Sequence, residues 1–159
     1  MNKRVFLSHL HPLITEQLEK GGEIILTITG NSMAPMLHHR KDKVLIIKPT
    51  NKKLKKHDIP LFKRPDGKFI LHRIIEVHNF SYTLMGDNQA FKEYHVDHSQ
   101  IIGVVKGFWR NDKYISCDNL LYVTYCKLWY LMYPFRWIYI KGKSLFRKII
   151  KAMDVTYDK

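Results

Sequence analysis

Three short stretches carry the residue types that a serine nucleophile and its helpers require. The first is Gly30-Asn31-Ser32-Met33-Ala34-Pro35-Met36-Leu37, where a small polar run interrupts the β-branched segment Ile24-Ile25-Leu26-Thr27-Ile28-Thr29 and a proline then fixes the backbone direction. A serine so placed stands at a strand end, out of the hydrogen-bonded ladder and partly exposed. The second is Phe69-Ile70-Leu71-His72-Arg73-Ile74-Ile75-Glu76-Val77, where alternation puts His72 on the face opposite Leu71 and Arg73. The third is Leu84-Met85-Gly86-Asp87-Asn88-Gln89, which ends a strand in a Gly-Asp-Asn turn. A serine hydroxyl is a poor nucleophile until a base removes its proton, and a neutral histidine can do so near pH 7. A carboxylate behind the imidazole fixes its tautomer and stabilises the imidazolium, so Asp87 is the expected third member. Each stretch alone has an ordinary reading: a turn-forming serine, a packed strand histidine, an Asx turn. Their occurrence together is what points to catalysis.

Positioning such groups takes a framework, and the sequence predicts a β-rich one. Leu7, Leu10, Leu13, Ile14 and Leu18 recur at helical spacing from Phe6 to Lys20, with Gly21-Gly22 as the stop, which predicts a short amphipathic helix covering a sheet. Strand-like runs follow at Glu23 to Thr29, Lys43 to Lys48, Lys68 to Val77, Ser81 to Met85, Ile101 to Trp109 and Tyr114 to Cys117. Pro65-Asp66-Gly67 between Leu61-Phe62 and Phe69-Ile70 predicts a hairpin turn. Short strands with no helices between them imply a mainly β, mostly antiparallel body.

Taken in order, Gly30 to Leu37, His57-Asp58-Ile59-Pro60-Leu61-Phe62, Leu71 to Ile75, Gly86-Asp87-Asn88 and Ile101-Ile102-Gly103-Val104-Val105 resemble the boxes of the type I signal peptidase and LexA-like serine peptidase superfamily. The resemblance spans Glu23 to Trp109. It implies an antiparallel β body, Ser32 as nucleophile and, with His72 where the bacterial signal peptidases and LexA carry lysine, the Ser-His branch of the archaeal and endoplasmic-reticulum signal peptidases. It also implies a leader-like peptide substrate with small residues before the cut. The sequence departs from the pattern at Gly30-Asn31, where the signal peptidases have Ser-Gly, and at His57-Asp58, where the family has Gly-Asp. The endoplasmic-reticulum type carries another aspartate soon after its Gly-Asp-Asn. Here Lys92 and Glu93 occupy that neighbourhood and Asp97 comes later, so a second acid is left between Glu93 and Asp97. Substrate and oxyanion contacts fall to the Ser32 N–H and its neighbours Asn31 and Met33.

The 159 residues suit one body with an appendage, divided as 1–118, a peptidase-like β domain with its N-terminal helix, and 119–159, an amphipathic basic tail. Twenty-seven Lys+Arg against 14 Asp+Glu give a net charge of +13, which favours an anionic neighbour: a polyanion, a membrane surface or an acidic substrate. No nucleic-acid reading motif stands out, and no nucleic acid is expected as partner. Cys117 and Cys126 have no zinc spacing, and His38-His39 and His95-x-x-His98 lack convergent further ligands, so neither metal nor cofactor is expected. Lys3 and Arg4 precede no apolar run of signal-peptide length, and the expected location is the cytoplasmic side, peripheral to or anchored in the membrane.

From Leu120 to Ile140 nearly every residue is apolar or aromatic, broken by Thr124, Lys127, Pro134 and Arg136 and followed by Lys141, Lys143, Arg147, Lys148 and Lys151. Residues 120–151 are therefore expected to meet a membrane surface as an interfacial helix pair, with packing on the body and a true span as alternatives. Two rivals stand beside the peptidase reading: a catalytically idle relative that binds peptide, membrane or nucleic acid, and a LexA-like protein that cuts its own chain.

Overall fold

The structure, a computed structural model, describes residues 7–50, 53–139 and 141–142. Phe6, Ile140, Lys143, Arg147, Lys148 and Lys151, which entered the sequence reading, lie outside the described residues. Helix α1 (Leu7–Glu19) buries Ile14 and Leu18, four residues apart on one face, while Leu13 points to solvent. Two bonds at Gly21-Gly22 close its end, Gly21 N–H to the Leu18 carbonyl at 3.0 Å and Gly22 N–H to the Gln17 carbonyl at 2.9 Å. Gly21, at φ 77°, supplies the left-handed backbone that this closure needs.

Among the described residues nine strands form two antiparallel sheets, and the fold is mainly β. The strands are β1 (Glu23–Thr27), β2 (Lys43–Ile47), β3 (Pro60–Lys63), β4 (Phe69–Leu71), β5 (Arg73–Val77), β6 (Ser81–Met85), β7 (Glu93–Asp97), β8 (Ile101–Arg110) and β9 (Lys113–Ser116). The larger sheet runs β1-β2-β8-β3-β4 with β9 also paired to β8, and the smaller runs β5-β6-β7. The predicted hairpin is β3-β4, in register Leu61 with Leu71 and Lys63 with Phe69.

One expected strand, Lys68 to Val77, is two. β4 pairs with β3 in the larger sheet and β5 pairs with β6 in the smaller, so the chain must turn between them. It does so at His72, which belongs to neither ladder. Strand β7 lies outside the runs expected from the sequence; it pairs with β6, Ser81 opposite Asp97 and Leu84 opposite Glu93.

Two apolar clusters hold these layers. Phe62, Ile74, Tyr82, Leu84 and Val96 join the two sheets, and the Tyr82 hydroxyl accepts the Leu54 N–H at 2.8 Å, satisfying both polar groups. Ile14, Leu18, Val44, Ile46, Leu61 and Phe108 form the second cluster under α1. Each fully buried side chain of this kind contributes roughly 1.5–3 kcal/mol of burial.

Helix α2 (Leu120–Leu131) is capped by Asn119, whose side chain accepts the Leu121 N–H at 2.9 Å. It buries Tyr122 and Cys126 in the second cluster, and a further helical run covers residues 133–139. Among the described residues no helix is long and apolar enough to cross a membrane.

Candidate active site

The bend that carries Ser32 is pinned from below. Met33, Met36 and Leu37 are buried in the second cluster, and the Leu37 N–H closes on the Met33 carbonyl at 2.8 Å. Gly30, at φ 97°, takes a conformation that side chains disfavour, and its N–H donates to His39 Nδ1 at 2.8 Å. Ser32 itself is half-buried between an exposed Asn31 and the buried Met33. Met33 therefore places its side chain in the core.

The Gly86-Asp87-Asn88 turn seats directly on this bend. Asn88 N–H donates to the Ser32 carbonyl at 2.8 Å, and the Asn88 side chain donates to the Asn31 carbonyl at 3.2 Å. A Cβ at Gly86 would stand 2.7 Å from the Ser32 carbonyl oxygen, so only glycine allows this approach. Met85, just before the turn, pairs with Arg73, the residue after His72. The corner at His72 and the bend at Ser32 thus flank the same end of β6.

Asp87 is not the carboxylate behind His72. It is buried and engaged by Arg73 in a forked pair, Nε to Oδ1 at 2.9 Å and Nη2 to Oδ2 at 2.7 Å. The reason lies in the strand break: with the chain turning at His72, Arg73 opens β5 opposite Met85, next to the turn that carries Asp87. A buried guanidinium needs a carboxylate, and the planar fork takes both oxygens. Arg73 Nη1 further meets the His57 carbonyl, the Tyr122 hydroxyl and Cys126 Sγ, each at 3.1 Å. Arg136 adds a bond from Nη2 to the Asp87 carbonyl at 2.5 Å.

The carboxylate that meets His72 is Glu93, the first residue of β7. Its Oε1 stands 2.5 Å from His72 Nδ1, close but off the angle of a straight hydrogen bond. His72 is 1% exposed. Arg64, at the β3-β4 turn, holds Glu93 from the other side with Nε to Oε2 and Nη2 to Oε1, both 2.7 Å. Burial acts to raise the Glu93 carboxyl, but His72 and Arg64 outweigh it and hold the group at about 2. Of the two acids the sequence left open, Asp97 instead caps a short helical turn, its Oδ1 accepting the Ser99 N–H at 2.7 Å. Glu93 had one sequence signal, its place a few residues past the Gly-Asp-Asn turn; what could not be seen was the strand that carries it back to His72.

The other candidates go elsewhere. His38 donates its N–H to Asp42 at 2.9 Å, and His98 stacks on Tyr82 with ring centroids 4.5 Å apart. Among the described residues no three His, Cys, Asp or Glu side chains gather as a metal would require. Burial pushes the Cys117 thiol up to about 12 and raises that of Cys126, so neither is disposed to act as a thiolate. His57, in the place of the family's glycine, adopts φ 80°, and its ring meets Tyr130 edge-on at 5.8 Å.

The framework, with a serine on a braced bend and a buried histidine at a sheet-to-sheet corner, is that of a serine-peptidase fold. The Peptidase S24-like family model matches residues 7–106, and the chain belongs to that family, within the LexA and signal-peptidase-like superfamily. A search of curated proteins returns no match to the chain.

Proposed function

We propose that the protein is a serine endopeptidase of the Ser-His branch, with Ser32 as nucleophile, His72 as general base and Glu93 as the acid behind the base. The observation that carries this reading is the Glu93 carboxylate at 2.5 Å from Nδ1 of a buried His72. With Nδ1 facing an ionised carboxylate, Nε2 is the nitrogen left to take the Ser32 proton. Ser32 Oγ then attacks the scissile carbonyl carbon, and its proton passes to His72. Collapse of the tetrahedral intermediate breaks the C–N bond as His72 returns the proton to the leaving amine. Water, deprotonated by the same imidazole, releases the acyl group from Ser32. The substrate is an extended, leader-like segment, added to the open β body through its main chain.

Labelling with a fluorophosphonate, mapped by mass spectrometry, tests the assignment. An adduct at Ser32 that vanishes in His72→Ala, with both proteins folded, is the expected result. Equal labelling with and without His72, or cleavage of a matched peptide that survives Ser32→Ala, overturns it. Intact mass of the protein incubated alone reads out LexA-like self-cleavage, which the family membership favours as a second reading.

A further inference from the structure

The C-terminal helical segment is apolar on both sides, yet only one side is used. Its inner side is spent on the body: Tyr122 and Cys126 lie in the core, and Arg136 bonds the Asp87 and Trp129 carbonyls with its guanidinium 3.8 Å from the Trp129 ring centroid. Its outer side leaves Leu121 80% and Phe135 72% exposed, together with Leu128, Leu131 and Ile138. An apolar face of that extent on a surface helix marks an interaction site.

Charge selects the occupant. Residues 120–159 carry eight Lys and Arg against two Asp, and the described ones at this face include exposed Lys127 and Lys141, the latter over the Trp137 ring at 5.7 Å. A second copy would bring like charges together; an anionic lipid surface neutralises them. Trp137 and its lysine suit the headgroup level, where an amphipathic ring and an ammonium both find partners. A span is disfavoured by the inner side, since a helix bonded to the body through Arg136 cannot be ringed by lipid.

We infer that the outer face of residues 120–139 docks in the plane of an anionic membrane, with the β body on the aqueous side. The inner side reaches Asp87, and Asn88 beside it holds the Ser32 carbonyl. Docking therefore seats the serine's bend about one helix diameter, roughly 10 Å, from the lipid. Under the peptidase reading this selects segments presented at the membrane surface; the docking itself does not rest on that reading.

Flotation of the full-length Ser32→Ala protein with phosphatidylcholine vesicles, with and without phosphatidylglycerol, tests it without any turnover. Co-flotation with the anionic vesicles alone is expected, weakened by added salt and reduced at least ~10-fold in Leu128→Glu and Phe135→Glu. Those positions are solvent-exposed, and circular dichroism checks that the variants fold. Absence of vesicle binding, or binding indifferent to both substitutions, overturns the inference. A concentration-dependent dimer abolished by the same substitutions, with no vesicle binding, assigns the face to a second copy instead.

Discussion

Glu93 Oε1 stands 2.5 Å from His72 Nδ1, joining the first residue of one strand to the corner between two sheets. Substituting Glu93→Gln keeps the shape and removes the charge that stabilises an imidazolium. The expected result is a fall in kcat on the order of 10²–10⁴ with KM little changed, as for loss of the acid in other serine triads. Steady-state kinetics on a matched peptide, with near-native circular dichroism, checks it; unchanged kcat would remove Glu93 from the mechanism.

Asp87 should fail differently. Its loss strands the buried Arg73 guanidinium, and breaking such a pair by removing one partner costs about 3–5 kcal/mol. Urea unfolding of Asp87→Asn is therefore expected to show a markedly lower midpoint. A normal midpoint with abolished turnover would make Asp87 catalytic after all.

Acid should expose the Glu93 site. Burial acts to raise this carboxyl, yet His72 and Arg64 depress it from 4.5 to about 2. A carboxyl depressed on folding contributes stability that is fully present above the unfolded value and lost as pH falls through the folded one. Over that window, about 4.5 down to about 2, stability should fall more steeply in wild type than in Glu93→Gln. The difference is up to ~1.4 kcal/mol per pH unit. Parallel profiles from urea midpoints would refute the coupling.

Gly86→Ala probes the seating of Ser32. The added Cβ meets the Ser32 carbonyl at 2.7 Å, so the bend or the turn must shift. The expected outcome is ~1–3 kcal/mol of destabilisation by overpacking, together with slower fluorophosphonate labelling at Ser32. Wild-type labelling would show that the bend does not depend on this approach.

How much of this was legible follows from locality. Helix α1 and its Gly21-Gly22 stop, the β3-β4 hairpin and the apolar anchors Met33, Met36 and Leu37 all announce themselves within a few residues. The chain's change of sheet at His72 does not, because Phe69 to Val77 reads as one strand and only pairing with β3 on one side and β6 on the other breaks it. Once that corner is hidden, a carboxylate partner for Arg73 and a solvated charge read alike, and Asp87 looks free to serve the histidine. Strand β7 is hidden for a related reason: Glu93-Tyr94-His95-Val96-Asp97 is charged or polar at three of five places, as an edge strand can be, and His95 even takes φ 56°. The tail's two-sidedness was also out of reach, since a sequence apolar all round does not say which side meets the body.

The turn of the chain at His72 bears on when reactivity arises during folding. Ser32, His72 and Glu93 come from distant parts of the sequence, and the corner takes shape only when β4 and β5 have each found a different sheet. Such non-local pairings form late, after the entropy of closing long loops has been met. Under the proposed Ser32-His72-Glu93 reading, a chain that has lost either sheet holds a serine and a histidine without the Glu93 carboxylate behind the base, so reactivity comes only with the finished fold.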